Sequence, residues 1–167
     1  MEQSTKRYIR VVNIMYDKTV TVFNYYESST TGKVYWYPHV LPGVDLITDH
    51  GAILKKYGPD SSDNAVLHIS YIPDGDNVMV RQSGDSFMLW LAPKEWSRQV
   101  NDDLPERLTF GPDDFFWLGE WTGGTVTDDD YLGGFYQYMN TQRDNVYKVS
   151  SVGGPYTVIP HFEILGK

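Results

Sequence analysis

Cysteine is absent from the 167 residues, which excludes disulfides, thiolate-bound zinc, iron–sulfur clusters and a thiol nucleophile, and leaves packing to stabilise the fold. Positive charge is scarce. Lys and Arg number 14 against 22 Asp and Glu, a net charge of −8, and that balance argues against nucleic acid or an anionic membrane as partner, because either needs a basic face to displace counterions. No apolar run approaches the roughly 18 residues of a membrane span. The stretch Met1-Glu2-Gln3-Ser4-Thr5-Lys6-Arg7 lacks the apolar segment of a secretory signal, so a cytoplasmic location is expected. No Asn-x-Ser/Thr acceptor occurs, in keeping with that location. The four histidines, His39, His50, His68 and His161, are scattered, and none has the i, i+4 partner that points two imidazoles at one metal. Gly-x-Ser-x-Gly is missing, since Gly84-Asp85-Ser86-Phe87 has no closing glycine, and so is any phosphate-cradling glycine loop.

Hydrophobic residues make up 41% of the chain and aromatics 15%, more rings than a core of this size normally uses, so some are expected at the surface. With 15 Gly and 9 Pro, few windows can hold a three-turn helix, and the uninterrupted windows read with period two. Thr19-Val20-Thr21-Val22-Phe23, Val34-Tyr35-Trp36-Tyr37 and Tyr156-Thr157-Val158-Ile159 have strand composition. Turn signals stand at Ser28 to Gly32, Pro42-Gly43, Gly58-Pro59-Asp60, Pro73-Asp74-Gly75-Asp76, Ser83-Gly84-Asp85, Gly123-Gly124, Gly133-Gly134 and Gly153-Gly154-Pro155. Roughly eleven short strands joined by such turns predict one antiparallel sandwich or barrel spanning residues 1–167. Pro93 to Leu108 is expected to be a loop with one helical turn, ended by Asn101-Asp102-Asp103 and Pro105.

Three acidic runs, Asp74-Gly75-Asp76-Asn77, Asp60-Ser61-Ser62-Asp63-Asn64 and Asp128-Asp129-Asp130, offer hard oxygen ligands, but none completes a calcium loop, and the same residue types dominate solvated turns. Neither a metal nor a cofactor is expected. A glycosidase pair drawn from Glu95, Glu106, Asp113, Asp114 and Glu120 would require two carboxylates facing across a groove.

The segment from Asn64 to Ser83 stands above this background. As a strand it sends Leu67, Ile69 and Tyr71 to one face and His68, Ser70 and Ile72 to the other. Gln82, Trp90, Glu95 and Arg98 follow. An imidazole, a hydroxyl, an amide, an indole, a carboxylate and a guanidinium are the set a sugar site uses: polar groups for hydroxyls and a flat ring for the C–H face of a pyranose.

Val66-Leu67-His68-Ile69-Ser70-Tyr71-Ile72-Pro73, followed by Asp76-Asn77-Val78, Gln82-Ser83 and Trp90, resembles the central hairpin of galectins, particularly small fungal ones. Pro112-Asp113-Asp114-Phe115-Phe116 is similar to another strand opening of that family. The resemblance implies a jelly-roll β-sandwich of two antiparallel sheets, and a non-catalytic lectin with a groove over His68, Ser70, Ile72, Arg81, Gln82, Trp90, Glu95 and Arg98. It also implies homo-oligomers of a cytosolic protein that reaches glycan partners without a signal peptide. The chain departs from the family where function is decided: Ile72 stands in place of the arginine that holds galactose, Gln82 in place of an asparagine, and Trp90 precedes Glu95 by five residues rather than three. A shift of register or a bulge would bring Arg81 to the sugar face. The expected ligand is therefore a β-galactoside or another neutral glycan such as N-acetylglucosamine oligomers. The alternatives are an interaction module of the same fold without a sugar site, and a small glycosidase.

Overall fold

The computed structural model describes residues 16–48, 65–99 and 104–167. His50, the acidic run at 60–64, the turn at 58–60 and the helix-ending Asn101-Asp102-Asp103 lie outside them. Strand β1 (Lys18–Glu27) is central because its alternating Val20, Val22 and Thr21, Phe23 are buried on both faces. It pairs antiparallel with β2 (Val34–Thr48) on one side and with β8 (Phe115–Leu118) on the other. From β8 the ladder continues through β10 (Val146–Tyr156), β11 (His161–Gly166) and β3 (Ala65–Ser70) back to β2. Six antiparallel strands thus close a barrel, and the two-residue β9 (Val126–Thr127) extends β2 outward. β2 serves both β1 and β3 by carrying one extra residue where Lys18 pairs with Val44 but Val20 with Leu41. Pro42 and Gly43 occupy that bulge, and Gly43 supplies the left-handed φ of +64° it needs.

A smaller sheet is formed by β4 (Ile72–Asp74), β5 (Asn77–Gln82), β6 (Ser86–Trp90) and the short β7 (Arg107–Leu108), with β6 and β7 parallel. Its inward side chains Val80 and Leu108 join Leu67, Ile69, Phe116, Phe162 and Ile164 in the barrel core, which side chains fill as they do in other small barrels. A second core lies outside β1, where helix α2 (Phe135–Gln142) buries Phe135 and Met139 against Phe23, Trp36 and Phe115. The Phe23 and Phe115 rings stack at 4.7 Å. Helix α1 (Pro93–Ser97) buries Trp96 beside Tyr26 and Leu104.

The antiparallel β class and the two sheets agree with the expectation, and eleven strands are found among the described residues. The larger sheet, however, closes on itself, the barrel of the two alternatives the turn pattern left open, and the smaller contains a parallel pair, where the resemblance implied a jelly-roll sandwich of two antiparallel sheets. The end of the chain corrects another reading: β10 runs through Gly153-Gly154-Pro155, and residues 157–160 form the turn. Gly153 leaves room for Tyr156, whose hydroxyl would clash with a Cβ there. Val158 and Ile159 are consequently exposed. α2 was not foreseen; the Gly133-Gly134 turn signal stands directly before it. Among the described residues no helix is long and apolar enough to cross a membrane.

The buried polar groups on β1 are satisfied from the neighbouring segments. Thr21 Oγ1 donates to the Gly119 carbonyl at 2.8 Å and accepts from Trp121 N–H at 3.0 Å. Asn24 Nδ2 donates to the Thr109 carbonyl at 2.6 Å and to Asp114, while its Oδ1 accepts from Thr109 N–H. Tyr25 N–H and Gly111 N–H each donate to the Asp114 carboxyl at 2.8 Å. Burial pushes that carboxyl up to about 7, further than these donors pull it down. On β2, buried His39 accepts at Nδ1 from Gln82 Nε2 at 2.9 Å, and burial lowers its imidazole to about 3.

The two groups act oppositely on stability. Asp114 lies above its ordinary 3.8, so its stabilisation is complete below that value and is lost as pH rises through about 7. His39 lies below its ordinary 6.5, so its stabilisation is present above that value and is lost as pH falls toward 3. Between pH ~4 and ~6.5 the slopes of about 1.4 kcal/mol per unit cancel. Urea unfolding of Asp114→Asn at several pH values in that window is expected to show stability falling on acidification, and His39→Gln to show it rising. Flat profiles in both variants would contradict the assignment.

Candidate functional site

The outward residues of β3 and the first strands of the small sheet meet at a cleft of about 210 Å³. Its walls are Pro42 to Val44 of the β2 bulge, Ser70 at the end of β3, Ile72 and Met79 on the β4–β5 hairpin, and Arg81 with Phe87 on β5 and β6. The arrangement follows from a break in the chain at Tyr71, whose ring turns into the core while its N–H bonds the Pro160 carbonyl at 3.3 Å. β3 stays in the barrel and β4 leaves it to pair with β5 through Gly75, at φ +60°. Arg81 and Phe87 are direct cross-strand partners. Phe87 is 45% exposed and Ile72 53%, so the cleft has an open aromatic and aliphatic rim. Arg81 bonds Asp85 Oδ1 at 3.0 Å, an exposed i, i+4 pair that holds the guanidinium only weakly.

Ser70 joins this cleft to a polar strip on the barrel wall. His68, two residues back on the same face, has Asp45 and Glu163 as cross-strand neighbours. Its Nδ1 lies 3.2 Å from Asp45 Oδ2, which fixes the ring. His161 pairs with Ser70 and sets its ring 6.1 Å from that of His68. The Tyr16 phenol bonds Ser70, and burial together with the Asp45 carboxylate holds it above its ordinary 10.0.

Of the residues singled out in the sequence, the structure brings Ser70, Ile72 and Arg81 together, with His68 beside them. It separates the rest. Gln82 spends its amide on His39. Trp90 packs on Phe162 at 5.2 Å between centroids, with Nε1 buried and unpartnered among the described residues. Trp90 and Glu95 border a different small cleft with Asp76 and Asn77, and Arg98 belongs to the turn after α1, exposed. The expected groove over His68, Gln82 and Trp90 is therefore not formed. β3 and β5 lie in different sheets, and even-numbered Gln82 and Trp90 take the barrel-facing side of theirs. Phe87 was missed, although a phenylalanine directly after the polar Gly-Asp-Ser turn is the signal of an exposed ring.

The model of a protein family of unknown function, DUF6751, matches residues 15–167, nearly the whole chain. The chain belongs to this family. No curated protein and no solved structure is a match.

In this DUF6751 member two further carboxylates, Asp114 and Asp128, are engaged by the fold. Asp113 and Asp114 border a cleft of about 190 Å³ with Tyr25, Glu27 and Trp96, but both Asp114 oxygens are occupied by N–H donors. Asp128 Oδ1 accepts from Trp36 Nε1 at 2.9 Å and from Phe135 N–H at 2.7 Å, which starts α2 and ties it to β2. Among the described residues no group of three or more His, Asp or Glu is placed to hold a metal.

The different surroundings of the two rings give a direct comparison. Trp90→Ala is expected to lose on the order of 3 kcal/mol of stability in urea unfolding, and Phe87→Ala under about 1 kcal/mol. Equal losses would contradict the placement of Phe87 on the surface.

Proposed function

We propose that the protein is a non-catalytic carbohydrate-binding protein that takes one neutral sugar ring in the cleft between Arg81, Ser70 and Phe87. The observation that carries this reading is the exposed Phe87 ring directly opposite Arg81, with the Ser70 hydroxyl across a cleft of about 210 Å³. Such a volume lies below the roughly 300–1,000 Å³ of sites for larger small molecules and suits a single pyranose. The ring and the Ile72 and Met79 side chains cover the C–H face, and the guanidinium gives paired hydrogen bonds to neighbouring hydroxyls. Arg81 thus takes over the task that Ile72 cannot perform, which favours a β-galactoside, with N-acetylglucosamine oligomers as the other expected ligand. His68, held by Asp45, stands one residue pair along the strand, where the next sugar of an oligosaccharide would lie.

A glycan array with the purified protein, followed by calorimetry on its best ligand, tests the reading. Arg81→Gln is expected to weaken binding about ten- to a hundredfold, the value of about 1.5–3 kcal/mol for hydrogen bonds from a charged donor. Phe87→Ala should weaken it comparably, chelator should have no effect, and the glycan should be recovered uncleaved. Binding that survives both substitutions, or that needs calcium, would overturn the proposal.

A further inference from the structure

A concavity of about 650 Å³ among the described residues shares no residue with the sugar cleft and has the opposite character to the rest of the chain. In a protein of net charge −8, its wall carries the side chains of Arg143, Lys148 and Lys167 against one side-chain carboxylate, Asp144. Two of these cations are held in place by rings. The Arg143 guanidinium lies 4.7 Å from the Trp117 centroid and 6.0 Å from that of Trp121, and Lys148 Nζ lies 5.1 Å from the Tyr136 centroid. Contacts of this kind fix a cation by its apolar underside and leave its N–H groups free. Among the described residues none of the three is ion-paired within 4.0 Å.

Lys148 and Lys167 also face each other. Each N–H donates to the other's carbonyl at 2.9 Å, the mark of a directly opposed antiparallel pair whose side chains emerge on one face. Like charges in that position repel, and the repulsion is relieved when an anion sits between them. The Asn145 side chain at the rim accepts from Tyr147 at Oδ1, which leaves its amide nitrogen as a neutral donor.

We propose that this groove between α2 and the β10–β11 strands binds a tetrahedral oxyanion, the phosphate or sulfate group of a small ligand, through Arg143, Lys148 and Lys167. The inference is independent of the sugar cleft. Arg143 supplies a planar fork suited to two oxygens of one group, and the lysines supply compact charges for the third. A long polyanion is disfavoured by the chain's net negative charge.

The test is titration at low ionic strength with inorganic phosphate and inorganic sulfate, and with glucose 6-phosphate beside glucose, followed by thermal melting and by the fluorescence of the indoles beneath Arg143. Saturable stabilisation by the oxyanions is expected, with glucose 6-phosphate binding and glucose not binding in the groove. Lys148→Gln, which keeps the Arg143 stack, should raise the phosphate Kd about tenfold, and Arg143→Gln with Lys148→Gln should abolish binding. Arg81→Gln should leave it unchanged. Inorganic phosphate alone, without gain from the sugar ester, would identify a free-oxyanion site. An equal response to chloride at matched ionic strength, full binding by Lys148→Gln, or loss of binding in Arg81→Gln would overturn the proposal.

Discussion

The burial of β1 on both faces is the constraint from which the other features follow. Val20 and Val22 must enter the barrel and Phe23 must leave it, so a strand with core residues on both sides cannot sit at an edge. Pairing with β2 and β8 at once closes the ring and removes the edge, the usual remedy for exposed ladder groups. The outward Phe23 then requires its own cover, which α2, Trp36 and Phe115 provide. Burying Thr21 and Asn24 requires that every polar atom find a partner, and the loops before and after β8 are shaped to deliver them through Gly119, Trp121, Thr109 and Asp114.

A barrel filled in this way leaves its clefts on the outside. The sites that remain are where secondary structure leaves the wall. At Tyr71 one strand becomes two, and the gap between barrel and hairpin is the cleft of Ser70, Ile72, Arg81 and Phe87. At the other departure the chain passes from α2 into β10, and Arg143 of that turn, Lys148 of β10 and Lys167 just after β11 line the larger groove. The first is apolar with one cation, the second polar with three, so the two places differ in the chemistry they can receive.

The alternation of β1 and of Ala65–Ser70 made the strands and their inner faces readable in the sequence, because a period of two is a local property. Leu67, Ile69 and Tyr71 point inward as expected. Sheet membership is not local. Nothing in the run from Ser70 to Ile72 announces that one residue separates the barrel from a second sheet, and the shared groove for His68, Gln82 and Trp90 failed at that point. Two further misreadings have local causes. Gly153-Gly154-Pro155 carries turn residues but sits in a strand because Tyr156 needs the space above Gly153. Phe135 and Met139 stand at helical spacing, but the cover they find on Phe23 and Phe115 and the bond from Phe135 N–H to Asp128, seven residues earlier, are tertiary. Arg81 lines the cleft through the regular β5–β6 register, with neither the register shift nor the bulge that the sequence reading invoked.

The central claim is that the Tyr71 break creates a sugar site on the outer face of the hairpin. Amide NMR of the nitrogen-15-labelled protein, titrated with lactose and with N-acetylglucosamine oligomers, addresses it residue by residue. The account predicts saturable shifts confined to Gly43, Ser70, Ile72, Arg81 and Phe87, extending to His68 for the longer ligands. Shifts centred on Trp90 and Glu95, on Asp113 and Asp114, or nowhere on the chain would contradict it.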